Sequence, residues 1–325
     1  MNKRIITAVI AGFCVVQTLN VNAQYFPDSL FKPLDPEIKK QSFVYVKKDS
    51  AELGLDVYTY DPATNIKKPC IIFVFGGAFV RGTRDSKIYN GFFNSVTQHG
   101  FVCISISYRL GLKGAKSVSV FNTAPLRNAV NMAVDDLYDA TNWVINHKDE
   151  LGIDTSKIII SGSSSGGITA QTAEFSLCND LPIAKKLPAG FIYAGVISFS
   201  GAVLSFDGKL KYKQVPAPVL MFHGTADKIV PYKQIRFFNK GFYGSSVIAK
   251  TFKKNNYPFH LYTEVDLGHE VSVLPMLLDQ QVIFDFINDY VFDKKQYEID
   301  TSVKDPDIKP MYTMSAKQMF EKFNE

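Results

Sequence analysis

The 325-residue chain predicts an α/β fold, a doubly wound and mostly parallel sheet opened by an antiparallel hairpin. Three observations predict it. Short unbroken apolar runs recur along the chain, as they do in strands buried on both faces. Stretches with apolar residues at spacings of three and four lie between them. Only the first two strand-like segments alternate apolar with polar residues, which suits a hairpin with one face on the core. The 46% hydrophobic and 21% charged content fits a globular protein with a sizeable core.

Lys3 and Arg4 precede an apolar run over residues 5–16, and Val21, Asn22 and Ala23 place a small residue at a cleavage position. This is the pattern of a secretory signal peptide over residues 1–23, too short to favour a membrane span. The mature chain is therefore expected in the periplasm or outside the cell. Residues 24–42 are polar and contain proline, and read as a linker. The hairpin is expected at 43–47 and 53–60, with the turn at 48–52. Apolar runs at 70–75, 101–108, 158–160, 193–199, 218–222 and 259–265 read as the sheet. The clearest helix is 128–147, where Ala133, Leu137, Ala140 and Val144 share a face. Further helices are expected at 86–98, 166–175, 232–240 and 277–291. Long connections at 110–125, 178–192 and 201–217 have the length of segments that shape binding sites. Together these place a single α/β domain at 43–292, followed by a polar tail at 293–325 that wraps the surface or stays mobile.

Charge and cysteine content narrow the chemistry. The net charge of +5 falls to +3 without Lys3 and Arg4, and no dense basic block carries interleaved aromatics, so nucleic acid is excluded as a partner. Cys70, Cys103 and Cys178 remain after loss of Cys14, an odd number without metal-ligand spacing. Cys70 and Cys103 can face each other across adjacent strands, but buried free thiols are the simpler reading.

The segment ISGSSSGG, residues 160–167, carries the chemistry. It joins a buried strand to a helix through a turn that needs very small neighbours. Gly162 and Gly166 bracket Ser164 two residues away on each side, in the G-x-S-x-G arrangement. Ser165 is the rival nucleophile, but Ser163 is bulkier than the glycine its flank requires. A serine at that turn stands at a helix N-terminus, which favours a developing anion. It needs a base. Of the five histidines, His147 ends a helix, His99 precedes a strand at the far edge, His260 lies early in a strand, and His223 buttresses a loop. His269 alone follows the last strand, in DLGHE, at the edge that carries Ser164. Asp227, in HGTADKIVP, is the expected carboxylate partner of that imidazole, with Asp266 as runner-up and Asp207 more remote. After the first central strand, FGGAF supplies flexible backbone whose Gly77 and Ala78 N–H groups, with that of Ser165, form an expected oxyanion hole.

On these motifs the chain resembles the α/β-hydrolase superfamily in its carboxylesterase and lipase-like branch, over residues 43–291. FGGAFVRG resembles the oxyanion segment, SISYRL a strand ending in Tyr-Arg, and AVDDLYDATNWV the helix before the nucleophile, with Asp136 and Trp143 in matching places. Three departures stand out: Phe75 replaces the usual histidine under the oxyanion loop, Ser163 a frequent acid, and Ser107 a frequent aspartate. The resemblance implies a serine esterase working through an acyl-enzyme without metal or organic cofactor. His269-Glu270 has no second histidine four residues on, so a zincin reading fails. The expected substrate is a small-molecule or oligosaccharide ester with a small or medium acyl group, since the connections are too short for a large lid. Resemblance to polysaccharide-acting esterases adds acetyl or feruloyl groups on glycans. Phe79, Phe121 and Phe206 are candidate apolar walls, and Arg81, Arg84 and Asp85 candidate polar contacts, with a solvated surface as their simpler role. A prolyl-oligopeptidase-type peptidase shares the constellation but carries a propeller domain ahead of it, and a non-catalytic binding protein on this fold typically lacks one member of the set.

Overall fold

The computed structural model describes residues 32–48, 51–60, 66–115, 122–206 and 208–324. The expected signal peptide, Cys14, Phe121 and Asp207 lie outside the described residues. The chain opens with β1 (Lys39–Lys48) and β2 (Ala51–Thr59), then β3 (Lys68–Val74), α1 (Asn90–Gln98), β4 (Val102–Ile106), α2 (Ala124–Asn146), β5 (Ile153–Ser163) and α3 (Ser165–Cys178). It continues with β6 (Gly195–Phe199), β7 (Ala202–Ser205), β8 (Val219–Gly224), β9 (Gln234–Phe237), β10 (Lys240–Gly244), α4 (Ser245–Lys254), β11 (Phe259–Glu264), α5 (Pro275–Leu278), α6 (Gln280–Phe286), β12 (Glu298–Val303) and α7 (Ala316–Asn324).

Nine strands form one sheet in the order β1-β2-β4-β3-β5-β6-β8-β11-β12. The hairpin β1–β2 and the β2–β4 pair are antiparallel, and every other neighbour is parallel. The unbroken apolar runs explain this layout. Cys70–Val74 in β3 and Ile158–Ile160 in β5 are fully buried, because helices cover both faces of a parallel sheet. The strand order reverses between β3 and β5, the place where an open α/β sheet leaves a crevice at its carboxyl edge.

Four expectations are corrected. The linker ends earlier than expected, since β1 begins at Lys39. Residues 232–240 do not form a helix: β9 and β10 pair there as a hairpin, and the helix follows at α4. All four β9 side chains are exposed, so no core-facing stripe exists to favour helical spacing. The long connection at 201–217 contains β7, which pairs with β10 in a small separate sheet. Residues 293–325 are not merely a tail. β12 is the ninth strand of the main sheet and α7 packs back on the molecule. Its alternating exposed and half-buried residues mark an edge strand, with too few apolar side chains to stand out in sequence.

Cys70, Cys103 and Cys178 are free and buried. Among the described residues, no helix is long and apolar enough to cross a membrane.

Candidate active site

Three strand ends at the carboxyl edge deliver three side chains. Ser164 follows β5, Asp227 follows β8 and His269 follows β11. Ser164 adopts φ 53° and ψ −116°, a strained conformation for a residue with a side chain. The turn is possible only with glycine on either side. A Cβ on Gly162 would lie 2.3 Å from the carbonyl of Gly166, and one on Gly166 would lie 1.9 Å from the carbonyl oxygen of Val74. The strain lifts Ser164 Oγ to 2.7 Å from His269 Nε2. His269 Nδ1 lies 2.8 Å from Asp227 Oδ2. A carboxylate only accepts, so Nδ1 carries the proton and Nε2 is left to accept from the serine.

The Asp227 side chain is fully buried. Burial alone raises its pKa, but attraction to His269 and hydrogen bonding from His223 and His269 outweigh it and hold the carboxyl below the ordinary carboxylate range. The N–H groups of Ile229 and Val230 donate to its other oxygen at 2.8 and 3.0 Å. His223 lies 3.4 Å from Asp227 and bonds Ser245, which gives its loop-buttressing position a specific partner. Asp266 stands apart: it is exposed and pairs with Lys304 at 2.7 Å. His99, His147 and His260 contact Ser95, Trp143 and Thr301, away from the serine.

Ser165, the rival, is buried with its Oγ 3.1 Å from Tyr108 Oη. Its backbone N–H stands at the first turn of α3, where no helical acceptor exists for it. Opposite, Gly77, Ala78 and Phe79 carry φ of 138°, 57° and 60°. Gly77 must be glycine, since a Cβ there would meet Arg81 O at 1.9 Å. Val80 and Arg81 donate to Gly77 O and close this turn. None of the hydrogen bonds among the described residues uses the N–H of Gly77 or Ala78.

Phe75 changes how that loop is held. Its ring packs on Tyr108 with centroids 4.5 Å apart and nests against Gly82, whose Cβ would overlap it. Tyr89 takes over the polar role: its Oη accepts from Gly76 N–H at 3.0 Å. Ser163 donates to Ser272 O at 2.8 Å, tying the serine turn to the histidine loop. Ser107 accepts from Arg84 through its hydroxyl and from Tyr45 through its carbonyl. Tyr89 escapes a reading of the sequence, because nothing local marks the use of its hydroxyl, and SISYRL marks Tyr108 as part of a strand end without indicating its bonds to Phe75 O and Ser165.

A cavity of about 270 Å³ opens on Ser164 and His269. Gly76, Gly77 and Ala78 line one side, and Tyr312, Met319 and Phe323 from the C-terminal segment line another. Arg81 lines it too, with its guanidinium 3.4 Å from the centre of the Phe323 ring. Phe79 does not: it is buried and packs edge-on against Tyr108, so its expected place in the substrate wall is corrected. Phe206 lies under Arg127, and Arg84 pairs with buried Asp56. Asp85 is half-exposed near Lys40.

The BD-FAE family model matches residues 55–181, from the second hairpin strand to the end of the helix after the serine. Para-nitrobenzyl esterase of Bacillus subtilis is 27% identical over 139 residues, 42% of this chain and 27% of that protein. Esterase LipC of Mycobacterium tuberculosis is 30% identical over 142 residues, 44% of this chain and 31% of that protein. The chain thus spans about a third or less of the length of these relatives. Propionate-bound esterase 2 of Thermogutta terrifontis superposes with a TM-score of 0.57 at 22% identity, covering 79% of this chain and 96% of that one. The likeness to this esterase structure shows an α/β-hydrolase fold. In this fold the crevice at the strand reversal, the strained serine and the glycine loop opposite it form one contiguous surface. Such an arrangement can generate a nucleophile, hold its proton and receive an oxyanion.

Proposed function

We propose that this protein is a serine esterase of the α/β-hydrolase superfamily. One observation carries the reading: the unbroken hydrogen-bonded series Asp227–His269–Ser164 at the floor of a cavity whose opposite wall is the Gly77–Ala78 turn. Ser164 attacks the ester carbonyl as His269 accepts its proton. The N–H groups of Gly77, Ala78 and Ser165 receive the oxyanion. His269 then protonates the departing alcohol, and a water activated by the same imidazole releases the acid. Each oxyanion donor contributes about 3 kcal/mol to the transition state.

Support comes from relatives named as esterases and from a fold neighbour with propionate bound. That same neighbour is phosphonylated by cyclosarin, the behaviour of an activated nucleophile. The cavity volume favours small or medium acyl groups over long chains. The apolar run after Lys3 and Arg4 supports action after export, and an exported esterase meets glycan-borne acetyl and feruloyl esters. A panel of chromogenic acyl esters, acetylated and feruloylated oligosaccharides and matched anilides tests the reading on the mature chain. Turnover of short acyl esters well above the anilides is expected. A folded protein that turns over anilides but no ester contradicts it.

A further inference from the structure

The C-terminal segment reaches the cavity from outside the catalytic core, and one buried carboxyl group joins it to the histidine loop. Glu270 follows His269 and is fully buried. Its Oε1 accepts from Gly268 N–H at 2.6 Å and its Oε2 from Tyr312 N–H at 3.1 Å. Tyr312 O lies so close that a Cβ on Gly268 would stand 3.2 Å from it. The Tyr312 ring then meets the His269 ring edge-on, with centroids 5.8 Å apart. Further along, Ala316 N–H donates to Lys228 O, one residue beyond Asp227. Phe323 stacks under Arg81, four residues past Gly77, and Asn324 accepts from Gly114 N–H at 2.8 Å. The segment is thus anchored beside the histidine, aspartate and Gly77 loops, and Met319 is buried on its inner face.

We propose that residues 311–324 are a specificity-determining wall of the ester site, that Met319 and Phe323 limit the length of the acyl group, and that Glu270 is the positioning residue that docks this wall to the histidine loop. The proposal rests on the esterase reading for its substrate and on geometry alone for its docking. The limit arises because the two side chains occupy the space a longer chain needs, and a pocket discriminates by roughly 10-fold or more per methylene it refuses.

The test measures kcat/KM for p-nitrophenyl acetate and octanoate on the full mature chain. Met319→Ala and Phe323→Ala are expected to raise the octanoate-to-acetate ratio at least 10-fold over wild type. A structural role would lower both rates and leave the ratio alone, and an unchanged ratio in both variants overturns the wall. Hydrogen exchange, which needs no substrate, reads the docking. Glu270→Ala should speed exchange at least 10-fold across residues 266–270 and 311–319, with the central strands unaffected. Unchanged exchange in both segments overturns the role of Glu270. A wild-type chain that hydrolyses no ester counts against the esterase reading, and exchange then decides the docking by itself.

Discussion

Ser164 and Ser165 are adjacent and chemically identical, yet their surroundings differ completely. One hydroxyl is hydrogen-bonded to an imidazole at the cavity, and the other is buried against Tyr108. Ser164→Ala should therefore lower kcat by roughly 10³-fold or more with an unchanged melting temperature. Ser165→Ala keeps its N–H and should cost less than about 10-fold, and kinetics on the two variants check the assignment. A second residue shapes the pH dependence. Burial first, then the charges of Asp279 and Asp305, push the Glu264 carboxyl up to about 7. Its folded pKa lies above the unfolded one, so its contribution to stability is complete below about 4.5 and is lost as pH rises through about 7. Glu264→Gln should accordingly melt higher than wild type at pH 8 and match it at pH 5, as thermal scans at the two values will show. The meeting of Ser164, His269 and Asp227 was legible because each follows a strand and the glycines two residues from Ser164 reveal the turn. The hydrogen bonds of Glu270 and Tyr89 were not, because nothing near either residue in sequence marks Tyr312 or Gly76 as its partner.

Among the elements, the turn between β5 and α3 tolerates least. Gly166→Ala drives a methyl group into the Val74 carbonyl, a backbone contact that no rotamer relieves. The expected cost is about 3 kcal/mol, the upper range of overpacking, measurable by denaturant unfolding. The hairpin is tied to α2 by another device. Lys48 of β1 and Arg109 after β4 converge on Asp135 and Asp136, and Lys186 adds to Asp135. Asp136 is fully buried, so Arg109→Ala leaves its carboxyl short of a partner and should cost about 3 kcal/mol in the same assay. The buried strands and α2 were visible in sequence because their apolar spacing has one structural solution. The β9–β10 hairpin and β12 were not, since elements that bury little leave little pattern.

At the scale of the molecule, the sheet brings chain segments more than a hundred residues apart to one rim. The strand order explains this: β5, β6, β8 and β11 run parallel, so every connection of interest leaves from the same edge. Motif order along the chain was enough to anticipate that rim. It was not enough to anticipate that the last residues return to it, because α7 is short and its few apolar side chains are divided between the cavity, which Met319 and Phe323 line, and the core, which Phe320 meets. The central claim is that Ser164 is the nucleophile activated at this rim. Reaction with a fluorophosphonate probe, followed by peptide mass spectrometry, tests it most directly. The account predicts a single adduct on Ser164 that disappears in Ser164→Ala and slows in His269→Ala. An adduct on Ser165, or labelling that persists without Ser164, would contradict it.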